Sequence, residues 1–335
     1  MSALRLFALS DKCLARAERG ANGDLAYAKS WAVERVLACE DVRCIEVDPL
    51  NPSIVYAGTQ GQGVFRSDDG GRTWQVAGLQ GVIVKSLAAS PHHAGVLYAG
   101  TKNPPLIYRS QDSGLHWEEL SGFRRVRGRW WWRSPAEPPF TAYVLALALS
   151  PSDPNIVLAG VELGAVVRSV DGGATWSNHL SGAGRDCHQL LFHPRYSEWV
   201  YEAHGGGPAF SRSAGQTWAQ PQAGLDRHYC INVAADAGQP DIWYAVVAPV
   251  LKAHSADSHA VVVRSIGGSP WKQLNGLPAP FKHLPLLAAD PTTPGHVYLA
   301  ERNGVVWHST DCGEMWSQLP LNLGEVWFRL IVSEG

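Results

Sequence analysis

An eight-residue phrase returns six times along the chain, and this repetition restricts the fold more than any other feature. Ser67–Trp74 reads Ser-Asp-Asp-Gly-Gly-Arg-Thr-Trp. Ser110–Trp117, Ser169–Trp176 and Ser309–Trp316 keep the frame Ser-x-Asp-x-Gly-x-x-Trp. Ser211–Trp218 puts Ser213 where the Asp belongs, and Ser265–Trp271 is one residue short. Self-similarity of this kind marks a propeller or solenoid. The short Asp side chain can bond backbone N–H groups across a tight turn, Gly supplies a positive φ, and Trp brings a large apolar surface to the next strand. Each phrase therefore predicts a β-hairpin turn followed by an aromatic anchor.

Successive phrases start 43, 59, 42, 54 and 44 residues apart, and the short intervals suit one four-stranded blade each. In the second interval Ser86–Ala89, Val96–Thr101, Leu106–Ser110 and Trp117–Leu120 read as its four strands. Near-continuous apolar first strands fit blades stacked face to face. The six phrases give blades at about 41–78, 82–121, 141–180, 186–221, 228–275 and 283–320. Arg5–Leu9, Cys13–Arg19 and Leu25–Trp31 read as strands without the phrase, and Val326–Ser333 as one more. Together, 4–32 and 326–333 predict a seventh blade with the C-terminal strand innermost, which removes free sheet edges. The expected fold is all-β: a single seven-bladed β-propeller over 1–335. A six-bladed ring with stray termini is the alternative.

A hydrophobic fraction of 45% with 17% charge is that of a globular chain, and a net charge of −2 gives no general attraction for nucleic acid or anionic membrane. Met1–Ser10 shows neither a signal peptide nor a membrane span. The six cysteines have no CxxC pair or framework spacing, so they read as reduced and the protein as cytoplasmic.

The phrase resembles the Asp-box, or BNR repeat, of sialidase-like propellers. This box also occurs in sortilin-type receptors, some xyloglucan hydrolases and the photosystem II assembly factor family. Tyr-Ala-Gly-Thr at 56–59 and 98–101 and Gly-Val-Phe-Arg-Ser at 63–67 are similar to bacterial BNR-like proteins. The resemblance implies that the box joins the third and fourth strands on one face of the ring, as a structural turn and not a site.

The long intervals carry insertions at 122–140 and 249–259, both expected on the face opposite the boxes, where binding loops collect. In the first, arginines alternate with Trp130, Trp131 and Trp132, which suits stacking on sugars and clamping of anions; the bland reading is a lid tucked onto the ring. The first strands are polar where they start: Asp41 and Arg43, Lys85, Tyr143, Asp186 and His188, Tyr229 and His283. Glu162, His204, Lys252 and His254 join them from the second-to-third loops. Solvated strand ends would explain about half of these, but Asp186-Cys187-His188 and Arg227-His228-Tyr229 concentrate titratable groups.

The leading expectation is a small-molecule or sugar-like ligand held at the axial mouth, with hydrolase or lyase chemistry. His188 or His228 acts as general base, oriented by Asp186, with Tyr229 and Glu162 beside it. Arg227, Arg133, Lys252 and Arg43 hold an anionic or polyhydroxy ligand, and Trp130, Trp132 and Tyr143 line it. A divalent metal on His188, His204, His228 and His254 is the possible cofactor. Cys187 and His188 are adjacent strand residues and should point apart. The alternatives are a protein-binding scaffold and a sialidase-like hydrolase. For the latter, Arg43, Arg227 and Arg133 would be the arginine triad, although the usual Phe-Arg-x-Pro start is missing. Single-stranded nucleic acid would suit the Arg/Trp pattern but not the net charge.

Overall fold

Seven antiparallel sheets form a ring, and the last strand of the chain closes it. The computed structural model describes residues 4–10, 13–20, 31–38, 40–134, 138 and 140–334. Blade 1 orders Leu330–Glu334, Leu4–Leu9, Leu14–Arg19 and Trp31–Val36 from the axis outward. Leu330–Glu334 pairs with Leu4–Ala8, so the chain termini share one sheet and leave no open inner edge. Two expectations shift here. The closing strand begins at Leu330 and not at Val326, and the third strand is Trp31–Val36. Of the expected strand Leu25–Trp31, residues 25–30 lie outside the described residues.

Blades 2 to 7 begin with the inner strands Val42–Val47, Ile83–Ala89, Val144–Leu149, Cys187–Phe192, Tyr229–Ala235 and Leu286–Ala289. Blades 4 and 5 have three strands each and the others four. The fourth strand is reduced to the single bridge Phe210–Ala219 in blade 5.

The repeated phrase forms the turn its chemistry requires. Ser67 Oγ donates to Asp69 Oδ1 at 2.7 Å and accepts from Gly71 N at 2.8 Å, while Thr73 N donates to Asp69 Oδ1 at 2.9 Å. Gly71 has φ +84°, where a side chain would be strained. The Trp74 indole N–H returns to Gly71 O at 3.0 Å. The same bonds recur from Ser110, Ser169 and Ser309. In the degenerate copy Ser213 Oγ takes the Asp role, accepting from Thr217 N at 3.0 Å.

Seven hydrophobic clusters hold the ring, one at each seam between neighbouring blades. The Gly of Tyr-Ala-Gly-Thr sets how close the blades come. A Cβ on Gly58 would stand 2.6 Å from Val84 of the next inner strand, and one on Gly100 would stand 2.7 Å from Val144. Blade 1 lacks the phrase and adds a buried cation to its apolar seam with blade 2. Arg16 is fully buried, donates to Gly70 O in the blade 2 turn at 2.7 Å, and pairs with Glu18 and Glu34.

Inner strands also share a defect. In five blades the register slips by one residue, between Val42 and Cys44, Val84 and Ser86, Val144 and Ala146, Cys187 and Gln189, and Cys230 and Asn232. The extra residue of each bulge is Arg43, Lys85, Leu145, His188 or Ile231. A bulge bends the strand and re-aims a side chain. Here it does so near the start of each inner strand, at the end of the blade away from the Asp-box turns.

Gly100→Ala is expected to cost about 1–3 kcal/mol by overpacking, seen as a lower midpoint in chemical denaturation. Gly61→Ala, with open space around the added Cβ, should leave the midpoint unchanged. Equal midpoints for the two variants would contradict the seam packing.

Candidate functional site

His188 is the bulged residue of blade 5, with 3% of its side chain exposed. Its Nδ1 lies 2.6 Å from Cys230 O of blade 6. A carbonyl can only accept, so Nδ1 carries a hydrogen and Nε2 faces the other way. There it meets two carboxylates: Asp186 Oδ2 at 3.5 Å, from the start of the same strand, and Glu162 Oε2 at 4.0 Å, from the second-to-third loop of blade 4. One ligand atom from each of the three lies within 4.8 Å of the others. Both spacings exceed a good hydrogen bond. Glu162 Oε2, Asp186 Oδ1 and His188 Nε2 are all buried and have no hydrogen-bond partner among the described residues.

The surroundings continue the polar character. The Tyr229 ring lies 4.8 Å from that of His188, and its hydroxyl is 2.7 Å from Nε2 of the exposed His254 in the second insertion. His204 is buried, and its Nδ1 accepts from Gly206 N at 2.9 Å, so Nε2 carries its hydrogen, buried and unpartnered. In the neighbouring blades the Lys85 and Lys102 ammonium groups each stand 5.2 Å from the Tyr143 ring centre. Glycines make room for the cluster: a Cβ on Gly205 would lie 2.2 Å from Asp186 Oδ2, and one on Gly184 would lie 2.2 Å from the His204 ring.

Burial pushes the Glu162 carboxyl up to about 7, against the opposing pull of His188. Burial also opposes charge on Asp186 and His188, but each outweighs it for the other: Asp186 sits below its ordinary range and His188 above. Burial, then the charge of His188, lowers His204 to about 4.

The expected site residues divide. Glu162, Asp186, His188, His204, Tyr229, His254 and Tyr143 gather at the loop ends of blades 4 to 6. His228 does not: it is exposed, one residue before the strand, and its Nδ1 is 2.9 Å from Gln222 Oε1. Arg227 donates to His259 O and pairs with Asp226, while Arg43 pairs with Asp41 and faces Phe328. Arg133 and Lys252 are exposed. None of the contacts described for these four cations reaches the cluster, and the arginine triad has no counterpart among them. Trp132 is core, packed on Phe123 and buried, whereas Trp130 and Trp131 stack on each other at 4.2 Å and are 72% and 70% exposed. Cys187 faces the blade 4 seam, away from His188.

Sequence reasoning missed Lys102 and Glu202. The repeats held the signal: aligned on Tyr-Ala-Gly-Thr, Glu202 stands where Ala57 and Ala99 do, and Lys102 where Gln60 and Glu162 do. Glu202 is fully buried, with both carboxylate oxygens accepting from Gly184 N. Burial pushes its carboxyl up to about 8 from an ordinary 4.5. The folded chain therefore keeps this proton where the unfolded chain has lost it, and the stability so contributed is full below about pH 4.5 and lost as pH rises through 8. Glu202→Gln has no such loss. Its unfolding free energy should gain on the wild type by about 3 kcal/mol between about pH 5 and pH 8, measured in urea. A pH-independent difference would contradict a buried neutral carboxyl.

The fold and its turns define the class: the chain is a seven-bladed β-propeller built on Asp-box repeats. A family model described as BNR/Asp-box repeat matches residues 65–76. Xyloglucanase Xgh74A of Acetivibrio thermocellus is 24% identical over 291 residues, covering 70% of this chain and 32% of that protein. The chain spans between 10% and 32% of the length of such curated relatives. Among solved structures, the GH74 xyloglucanase of Xanthomonas campestris superposes with a TM-score of 0.61 at 19% identity, over 83% of this chain and 45% of that one. YCF48 from Cyanidioschyzon merolae gives 0.57 at 14%, over 85% and 86%. At these identities the likeness is one of fold. No helix among the described residues is long and apolar enough to cross a membrane.

Proposed function

We propose that the loop ends of blades 4 to 6 bind a small polar or sugar-like ligand and act on it hydrolytically. One observation carries the reading: Glu162 Oε2, Asp186 Oδ1, His188 Nε2 and His204 Nε2 are buried and unpartnered, on neighbouring strand ends of two blades. Buried polar atoms in folded proteins are mostly satisfied, and four exceptions gathered at one place are what a site that completes its bonding with a ligand would show. Glu162, Asp186 and His188 are then the reacting groups, while His204 Nε2–H donates to the ligand. Tyr229 forms a wall, and its contact with His254 ties the second insertion to the site. The xyloglucanase relatives make carbohydrate the first ligand class to try.

The test is a calorimetric titration of the protein with xyloglucan oligosaccharides, sugar acids and small phosphorylated compounds. One class should bind with single-site stoichiometry, and His188→Gln should weaken it at least tenfold, about 1.4 kcal/mol. If no class binds, or the variant binds like wild type, the reading fails.

A second reading has its own support. The insertions expose Trp130, Trp131, Phe140, Val250 and Leu251, the last at 98%. Exposed apolar side chains of this kind suit a peptide or protein partner, and one structural neighbour is described as YCF48 bound to D1 peptide. A stoichiometric partner lost in Trp130→Ser or Leu251→Ser, but kept in His188→Gln, would favour the scaffold.

A further inference from the structure

His188, Asp186 and Glu162 stand in a relation that their own charges do not complete. Two carboxylates with oxygens within 4.8 Å repel each other in a buried setting. The imidazole between them is too far from either to bond well, at 3.5 and 4.0 Å. The three groups stand together, each with a buried unpartnered atom.

The tautomer of His188 adds an independent constraint. Its Nδ1–H is spent on Cys230 O at 2.6 Å, the arrangement in which a backbone carbonyl orients a ligating imidazole and leaves Nε2 as the donor to a cation. Tetrahedral donors at about 2.1 Å from a cation are about 3.4 Å apart. The His188–Asp186 spacing is already there, and Glu162, 4.0 Å from His188 Nε2, has to move closer to both partners. Gly205 leaves room for the Asp186 carboxylate, since a Cβ there would stand 2.2 Å from Oδ2. His204 is excluded as a ligand in this rotamer, because its Nδ1 is used by Gly206 N and Nε2 carries the hydrogen. His228 and His254 are engaged elsewhere, with Gln222 and Tyr229.

We propose that Glu162, Asp186 and His188 form a binding site for one divalent first-row metal cation. The proposal rests on reading these loop ends as the functional site, and it narrows that site's chemistry to one imidazole and two carboxylates. This donor set suits manganese, ferrous iron or zinc and has no thiolate, since Cys187 faces the opposite seam. The site differs from a set of histidines assembled across blades in having one imidazole, aimed by a bulge, and two acids. With three protein ligands, a cation would keep open positions for water or for a ligand oxygen, as catalytic sites do.

The test strips the full-length protein with a chelator and titrates it with Mn²⁺ and with Zn²⁺, reading bound metal by equilibrium dialysis and heat by calorimetry. Wild type should take up one equivalent of at least one of the two ions. Glu162→Gln and Asp186→Asn, each near-isosteric, should weaken it at least tenfold, and His228→Ala should match wild type. Thermal unfolding of the stripped variants shows whether each is folded, and either folded variant suffices for the comparison. Absence of binding by wild type, or equal affinity in a folded Glu162→Gln or Asp186→Asn variant, overturns the metal site. A polar ligand captured by metal-stripped protein that binds neither ion leaves the ligand reading standing and removes only the metal. An ion bound with one equivalent and lost in both acid variants supports the metal site, even where no polar ligand is found.

Discussion

One extra residue near the start of the inner strand in five of the seven blades is what the functional end of this ring depends on. A regular strand would point alternate side chains into the two seams, where apolar packing leaves no place for an imidazole. The bulge breaks that alternation and turns a residue toward the first residues of the next blade. Lys85 faces Tyr143 in this way, and His188 faces Tyr229 and Cys230 O. The same backbone device thus serves several blades, and the residue placed on it decides what each one offers.

The Asp-box turns and the seam glycines make such a defect tolerable. Four of the turns are cross-bonded by Ser, Asp and Gly, which fixes the third strand from the other end of the blade. Gly58 and Gly100 let the next inner strand pack directly on the second strand at Val84 and Val144, the residues just before the bulges. The loop ends are then free to differ between blades without loss of the ring. Blade 4 offers Glu162 where blade 5 has Gly205, and blade 5 offers His188 where blade 4 has Leu145. The three-residue cluster is the sum of these differences, built across one seam.

Much of this was legible in the residues. The phrase predicts its turn because its bonds are local; its spacing gives six of the blades, and the strands left over at the two ends give the seventh. The polar strand starts stand out because they break an apolar pattern, which is how Asp186, His188 and Tyr229 can be singled out, with Glu162 added from a second-to-third loop. What stayed hidden is non-local. Nothing in the sequence separates His188 from His228, two histidines near strand starts; a hydrogen bond to Cys230 O in one case and to Gln222 in the other does so. The arginines Arg227, Arg133 and Arg43 looked like ligand clamps by type, yet two are spent on neighbouring acids and the third is exposed. Trp132 and Trp130 are two residues apart in one insertion, and only packing on Phe123 makes the first a core residue.

The most direct measurement is a crystal structure of the purified protein at a resolution that shows solvent and ions around blade 5. A bulge-aimed imidazole whose Nε2 has no protein partner predicts a non-protein density feature bonded to His188 Nε2 and shared with Asp186 or Glu162, while Nδ1 stays on Cys230 O. A His188 ring turned to bond Asp186 directly at about 2.8 Å, with nothing between the three groups, would contradict it.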